Sequence, residues 1–539
     1  MSNPLALLPL AIAAGGGQVD GIEAQQLVAA GLTLLQRSAP LVRALSGRRA
    51  AILLPTSPAF FTALAACEGR GAVLINPLAA PAEVAFQCAD ADVGAIFTSS
   101  AFAARLPAGL PVVLLDDAPR TARVVTADGS REVDLGSHHG LSLHGERDVE
   151  GRDEEAAVVY TSAMRGTPLG AVLTHANLIA NARGTVVAAT NSADDNVLSL
   201  LPFAHLFGLV VAGAAPLFAG GRLITMDRFN PVKAAELLAR GITEVVGVPA
   251  VYHALLTAIG RKEMPVRGSA LRLCICGGAK LDVELQDRWA EATGVELRQG
   301  YGLTEAGPVC LFNRVDRPNA RGTLGVPFPG VDVAILQATD DASPEATKSA
   351  TTPLPDGVDG EICVRGTNVF RGYLRGETAG LPRRGEWLCS GDRGVRNADG
   401  TVSFRGLLKP MFTRNGFNIY PAELARRWRD AWRDARGGQR AARPGARARH
   451  RAAGDRVGDR GRREGVVRAE TQPVQAAGHD RGRAPLAARL RRAAPPAPRE
   501  SSARAPAAPP SRRSSPRPPP RGRTACRCSA RSRRAPRPC

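Results

Sequence analysis

A chain of 539 residues, 44% of them apolar, is long enough for several domains and rich enough in apolar side chains to bury cores, which excludes a wholly disordered protein. A formal charge of +20 would ordinarily point to a nucleic-acid or membrane-surface partner. Here one end supplies it: residues 426–539 hold 32 Arg, no Lys and 8 acidic residues, leaving 38 basic against 42 acidic residues in 1–425. The body is slightly acidic, so a nucleic-acid partner is expected only through the tail.

The opening MSNPLALLPLAIAAGGG is apolar but has no basic segment before the apolar run, so it is not expected to be an export signal. No later stretch is long and apolar enough to span a membrane, and a cytoplasmic location with reduced thiols is expected. From about residue 50 the chain alternates β-branched runs with helix-period segments: AAILLP, PAFFTALAACEGRG, AVLINP, PAEVAFQCADAD, VGAIFTS. The rhythm returns in RLITMD, NPVKAAELLARG and ITEVVGVP. This order predicts an α/β fold of mixed, largely parallel sheets with flanking helices. Between 322 and 404 strands and turns take over (GVDVAILQA, GEICVRG, GTVSFRG), predicting a β subdomain, with 340–357 a polar loop. The expected divisions are 1–409, a remnant at 410–425, and the tail.

Ten cysteines are scattered, and the pairs Cys274/Cys276 and Cys526/Cys528 lack the two-residue spacing and second pair of a zinc site. After Ala425 the chain contains no Ile, Phe, Tyr, Met, Asn or Lys, and such a composition predicts disorder. The six missing types have AT-rich codons, the pattern of a GC-rich coding sequence read out of frame, so a frame change near codon 426 is the leading explanation. A true Arg-rich tail that binds polyanions is the alternative.

Chemistry concentrates in four places. YTSAMRGTPLGAVLTHANL, 160–178, has the outline of a phosphate loop, with a strand before it and a helix after it. In QGYGLTEAGP, Gly300 and Gly302 flank Tyr301 and let backbone approach a flat ring, while Thr304 and Glu305 set a hydroxyl beside a carboxylate, oxygen ligands suited to a hard dication. Asp392 in CSGDRG can accept hydrogen bonds from a vicinal diol. In ICGGAKL, Gly277, Gly278 and Ala279 leave room for a flat ligand against backbone.

These motifs, with ILLPTSPAFFTAL, LPFAHLFG, GTLGVPFPG, GEICVRG and NGFNIYPAEL, stand in an order that resembles the adenylate-forming superfamily of acyl-CoA synthetases, nonribosomal peptide adenylation domains and luciferases, over about residues 45–425. The resemblance implies an ATP-dependent ligase that forms an acyl-adenylate from a small carboxylic acid and passes the acyl group to coenzyme A or a carrier-protein thiol. It implies that Tyr301 stacks on adenine, Asp392 binds ribose, Thr304 contacts phosphate, Glu305 binds Mg2+, and His205 lies beside the acyl carboxylate. It also implies that GVPAVYHALL walls the acyl pocket.

Three departures predict impaired turnover. Ala163, Met164, Arg165 and Leu169 stand where the family's phosphate loop has Gly, Thr, Thr and Lys, leaving Thr161, Ser162, Gly166, Thr167 and Gly170, with Arg165 as a replacement cation. At the hinge, Leu407 replaces a ribose-binding arginine, with Arg405 beside it, and Pro410 would restrict domain rotation. The small C-terminal domain is essentially missing, and no lysine follows Lys409 to complete adenylation. A nucleotide- or acyl-binding pseudoenzyme and a nucleic-acid-binding tail protein remain the alternatives.

Overall fold

Two nine-stranded sheets and a smaller five-stranded one organise the chain in the computed structural model. It describes residues 7–67, 70–136, 154–161, 168–338, 351–376 and 381–408, with the backbone of 412–414 and 417–419. The turn 162–167, Lys409, Pro410 and the tail from 426 lie outside the described residues.

The first large sheet has a parallel centre, in the spatial order Leu297–Gly302, Leu273–Cys276, Glu244–Gly247, Asn196–Ser199, Arg222–Thr225, and antiparallel strands at both edges. Its crossover helices start and stop on local signals. Pro231–Leu238 opens with Asn230, whose side chain accepts from the amides of Val232 and Lys233, followed by a proline that needs no amide partner there. Val283–Thr293 ends at Gly294 in the left-handed region. The second large sheet centres on the parallel strands Glu155–Thr161, Ala72–Leu74, Arg49–Leu53, Val93–Thr98 and Val112–Asp117. The third carries Val331–Leu336, Asp359–Gly366, Trp387–Arg396, Arg383–Arg384 and Val402–Leu407. The fold is therefore mixed α/β with flanking helices and a β subdomain.

Aromatic packing ties elements distant in sequence. Phe60 and Phe61 of the helix Pro58–Cys67 meet Phe203 edge-on at 5.4 and 5.1 Å, all three fully buried. Truncating one such ring would cost about 3–5 kcal/mol. The apolar opening run forms the helix Leu8–Gly15, whose Leu8 and Ile12 are wholly buried in the main core. The Leu8 amide donates to His175 Nδ1 at 3.0 Å, and burial pushes that imidazole down to about 4, so it sits there neutral. Among the described residues no helix is long and apolar enough to cross a membrane.

Candidate active site

Parallel strands that end at one rim leave a crevice at their carboxyl ends, where ligands of open α/β sheets bind. After Asn196–Ser199 come His205 and Phe207; after Leu273–Cys276 come Gly277 to Lys280; Leu297–Gly302 ends in Tyr301 itself. These segments surround a cavity of about 350 Å3, closed by Thr185 and Ala188 of the helix His175–Ala189 and by Asp392, Phe404 and Leu407 of the β subdomain.

One wall suits a nucleoside. The Tyr301 hydroxyl donates to Asp392 Oδ2 at 2.7 Å, joining the two motifs across the cavity. Burial pushes the Asp392 carboxyl up to about 6; the Tyr301 donation opposes that and the Glu361 charge adds to it. At neutral pH it is mostly ionised and can accept from a diol. Backbone fit is steric: a Cβ on Gly302 would lie 1.8 Å from the Pro308 carbonyl oxygen, and Gly278, at φ +74°, holds a conformation that side chains disfavour. Gly277, Ala279 and Gly300 also line the cavity.

Much of the remaining lining is apolar. Phe207 and Val211 come from a π-helical segment, Phe207–Ala214, buried along its whole length, and Ile275, Phe312 and Phe328 complete the surface. A π-turn is a common way of presenting side chains at a functional site. Half-buried His205 also lines the cavity; its Nδ1 accepts from the Phe207 amide at 3.2 Å, and burial lowers its imidazole to about 4. It is therefore neutral near pH 7.

The charge-handling residues are arranged less directly. Thr304 lines the cavity, whereas Glu305 is buried and does not. Glu305 Oε1 accepts from Tyr373 Oη at 2.8 Å and from Thr161 Oγ1 at 3.3 Å. Burial raises the carboxyl above its usual range and these two donors pull it back. Thr161 closes the strand Glu155–Thr161, directly opposite Leu169 in the next strand, so this cluster sits at the base of the phosphate-loop turn. Ser162, Arg165, Gly166 and Thr167 fall outside the described residues.

Other placements differ from the sequence expectations. Arg405 is exposed and takes no part in the lining, because Val402–Leu407 turns Phe404 and Leu407 into the wall instead. GVPAVYHALL lies in and before the helix Pro249–Lys262 and contributes nothing to the cavity wall. Its Tyr252 is buried behind the sheet, donating to the carbonyls of Val245 and Ile275 at 2.9 and 2.7 Å. Cys274 and Cys276 are buried thiols that join no metal-capable group among the described residues. Sequence reasoning missed Tyr373, Lys280 and the apolar set Phe207, Val211 and Phe328. For the first the only signal was a Gly-Tyr pair, and for the last an unbroken apolar run after His205.

A cavity lined by the Tyr301–Asp392 pair and by apolar side chains sits in a chain that resembles known proteins. A family model described as AMP-binding enzyme matches residues 41–374. The chain is 31% identical over 381 residues to a feruloyl-CoA synthase of Amycolatopsis sp, covering 70% of this chain and 72% of that one. It is 30% identical over 431 residues to 4-coumarate–CoA ligase 5 of Oryza sativa subsp. japonica, covering 76% and 73%. Among solved structures, ATP-bound MatB from Rhodopseudomonas palustris superposes with a TM-score of 0.60 at 27% identity, over 78% of this chain and 82% of that one. The matched span holds the motifs from LPFAHLFG to QGYGLTEAGP and the strand that delivers Tyr373, and on that ground the chain belongs to the AMP-binding enzyme family, with acyl-CoA ligases among its relatives.

Proposed function

We propose that the cavity holds ATP and a small carboxylic acid, bound as its carboxylate, and that the chain joins them as an acyl-adenylate which the thiol of coenzyme A then cleaves. The observation that carries this reading is that one cavity is lined both by Tyr301 and Asp392, bonded to each other, and by the apolar side chains Phe207, Val211 and Phe328. Tyr301 offers its ring to adenine against the Gly277–Ala279 backbone, and Asp392 accepts from the ribose diol. Thr304 contacts phosphate where the carboxylate attacks and pyrophosphate leaves. Neutral His205 can donate to the acyl carboxylate without forming a tight ion pair with it.

A magnesium ion fits the donor set: Glu305 is a carboxylate kept available by two hydroxyl donors, with Thr161 and Thr304 beside it. When bound, the ion would neutralise phosphate charge. The chain's own work is positioning and desolvation.

Turnover is proposed to be slow. Leu169 stands opposite Thr161 where a cation would face the phosphates, and no lysine follows Lys409. The test is pyrophosphate release from ATP with a panel of aromatic and aliphatic acids, beside calorimetric titration with ATP and magnesium. Slow release with an apolar acid supports the ligase. ATP binding without release by any acid supports the second reading, a nucleotide-binding pseudoenzyme, which the altered loop favours. Absence of binding at millimolar ATP removes both.

A further inference from the structure

Outside the cavity, the β subdomain holds a group the ligase reading does not use. Cys363 of Asp359–Gly366 and Cys389 of Trp387–Arg396 are directly paired across antiparallel strands, both wholly buried, and the Cys363 thiol meets Cys389 Sγ at 2.9 Å. The pair type follows from the ladder. The Cys389 amide donates to the Pro382 carbonyl at 2.9 Å, away from the strand that carries Cys363. The two cysteines therefore form a non-hydrogen-bonded pair, the register in which facing side chains lie closest, with Cα atoms roughly 4.5 Å apart. That spacing falls inside the range a disulfide spans, roughly 4.4–6.8 Å.

Glu361 lies with the two thiols, so a metal site must be weighed first. Its carboxylate is already engaged on both oxygens: Oε1 accepts from the Gly391 amide at 2.9 Å, and Oε2 is ion-paired to buried Arg384. A cation would have to displace that guanidinium and sit beside its charge, with two thiols as its remaining ligands. The thiols themselves need no such rearrangement to bond to each other.

We propose that Cys363 and Cys389 form a reversible cross-strand disulfide when the protein meets a low-molecular-weight disulfide oxidant. The balance is thiol–disulfide exchange: one cysteine thiolate attacks a sulfur of the oxidant and expels one small thiol. The second cysteine then attacks the mixed disulfide and expels the other. Two thiol protons are lost, the Cys363–Cys389 bond forms, and the oxidant's own S–S bond is reduced. The hydrogen bond to Cys389 and burial hold the Cys363 thiol well above its ordinary range, so exchange is slow at neutral pH and faster in mild alkali.

The crosslink would clamp a functional feature. Pairing skips from Cys363↔Cys389 to Glu361↔Arg393, so Ser390–Asp392 bulges out of the ladder, and Asp392 faces the cavity from that bulge. The disulfide would pin the start of the bulge three residues before Asp392.

The test uses the full chain incubated with oxidised glutathione at pH 8.5, alkylated under denaturing conditions and digested with trypsin. Peptide mapping is needed because the chain holds eight other cysteines. Cys363 and Cys389 fall in separate peptides, 349–365 and 385–393, each with a single cysteine. Expected are the linked pair, lighter by two hydrogens than its parts and released by dithiothreitol, and a melting midpoint a few degrees higher that dithiothreitol reverses. C363S and C389S should each lose the linked pair and the reversible shift. Recovery of both peptides only as alkylated or singly glutathionylated species, with unchanged melting, would overturn the proposal, and this readout needs no variant to fold.

Discussion

Tyr373→Phe removes one oxygen atom, which donates to Glu305 and accepts from the Leu381 amide at 3.2 Å. The ring is buried and packed edge-on against Phe370 at 4.8 Å, so phenylalanine keeps the volume and the contact. At Glu305 the 2.8 Å donation to Oε1 is lost, leaving the longer 3.3 Å bond from Thr161, and the Leu381 amide loses its acceptor. A hydrogen bond to a charged group contributes about 1.5–3 kcal/mol. If ionised Glu305 is needed to bind magnesium with the nucleotide, the variant should bind magnesium-ATP roughly 10- to 150-fold more weakly at neutral pH. Binding of ATP without the metal should be nearly unchanged. The pH dependence has a defined sign. Burial already raises the Glu305 carboxyl, Tyr373 opposes that, and the buried Cys310 thiol is a titratable neighbour. Loss of the hydroxyl raises the carboxyl further, so the onset of magnesium-ATP binding moves to higher pH. A raised carboxyl also means that native stability declines as pH rises from the ordinary carboxylate range through the raised one, and the variant extends that decline upward. Calorimetric titration with and without magnesium across pH 6–9 measures the first effect, and denaturant melts over the same range the second. Parental magnesium-ATP affinity and an unshifted pH profile would show that Tyr373 does not act through Glu305.

Asp392→Asn should weaken nucleotide binding by roughly 10- to 100-fold through loss of a charged acceptor, and in the parent affinity should fall as pH drops through about 6; equilibrium titration of a fluorescent ATP analogue from pH 5 to 8 checks both. The same buried carboxyl costs stability as pH rises from 3.8 to about 6, so the Asn variant should be the more stable protein above that window. Gly302→Ala drives a methyl into the Pro308 carbonyl and should destabilise by about 1–3 kcal/mol in urea melts, with nucleotide binding lost; a native-like midpoint would show that the backbone can yield there. Leu169→Lys returns a cation beside Thr161 and should tighten ATP binding about tenfold with little effect on adenosine, measured by calorimetry.

The βαβ order was legible because each strand and helix carries its own period and its own stops. AAILLP, PAFFTALAACEGRG and AVLINP became Arg49–Leu53, Pro58–Cys67 and Ala72–Leu74, and ITEVVGVP became Glu244–Gly247. Contacts were not legible where they depend on sheet order rather than local pattern. Tyr373 reaches Glu305 across 68 residues because Gly372–Tyr373 adds to the edge of the second sheet beside Leu169–Thr174. The resemblance implied that the apolar GVPAVYHALL walls the acyl pocket, yet Tyr252 of its helix packs against Trp289 and bonds to the carbonyls of two sheet strands. Apolarity alone does not distinguish a lining from a core. The apolar opening run is core in the same way, since its Leu8, Ala11 and Ile12 pack into the main cluster.

On the proposed reading the site divides into a nucleoside half and a phosphate half that the chain treats differently. The nucleoside half depends on steric permissions, at Gly278 and Gly302, and on one buried carboxylate fixed by Tyr301; each is set by packing inside the described fold. The phosphate half depends on cations, and among the described residues lining the cavity the cationic side chain is Lys280, three-quarters exposed and 4.0 Å from Asp282. An ion pair that exposed contributes little. Affinity for the base and ribose can therefore persist while stabilisation of charge on the transferred phosphate, the larger part of the chemistry, is weak. Binding and turnover draw on different residues here, and a substitution that restores charge at Leu169 should change them by different amounts.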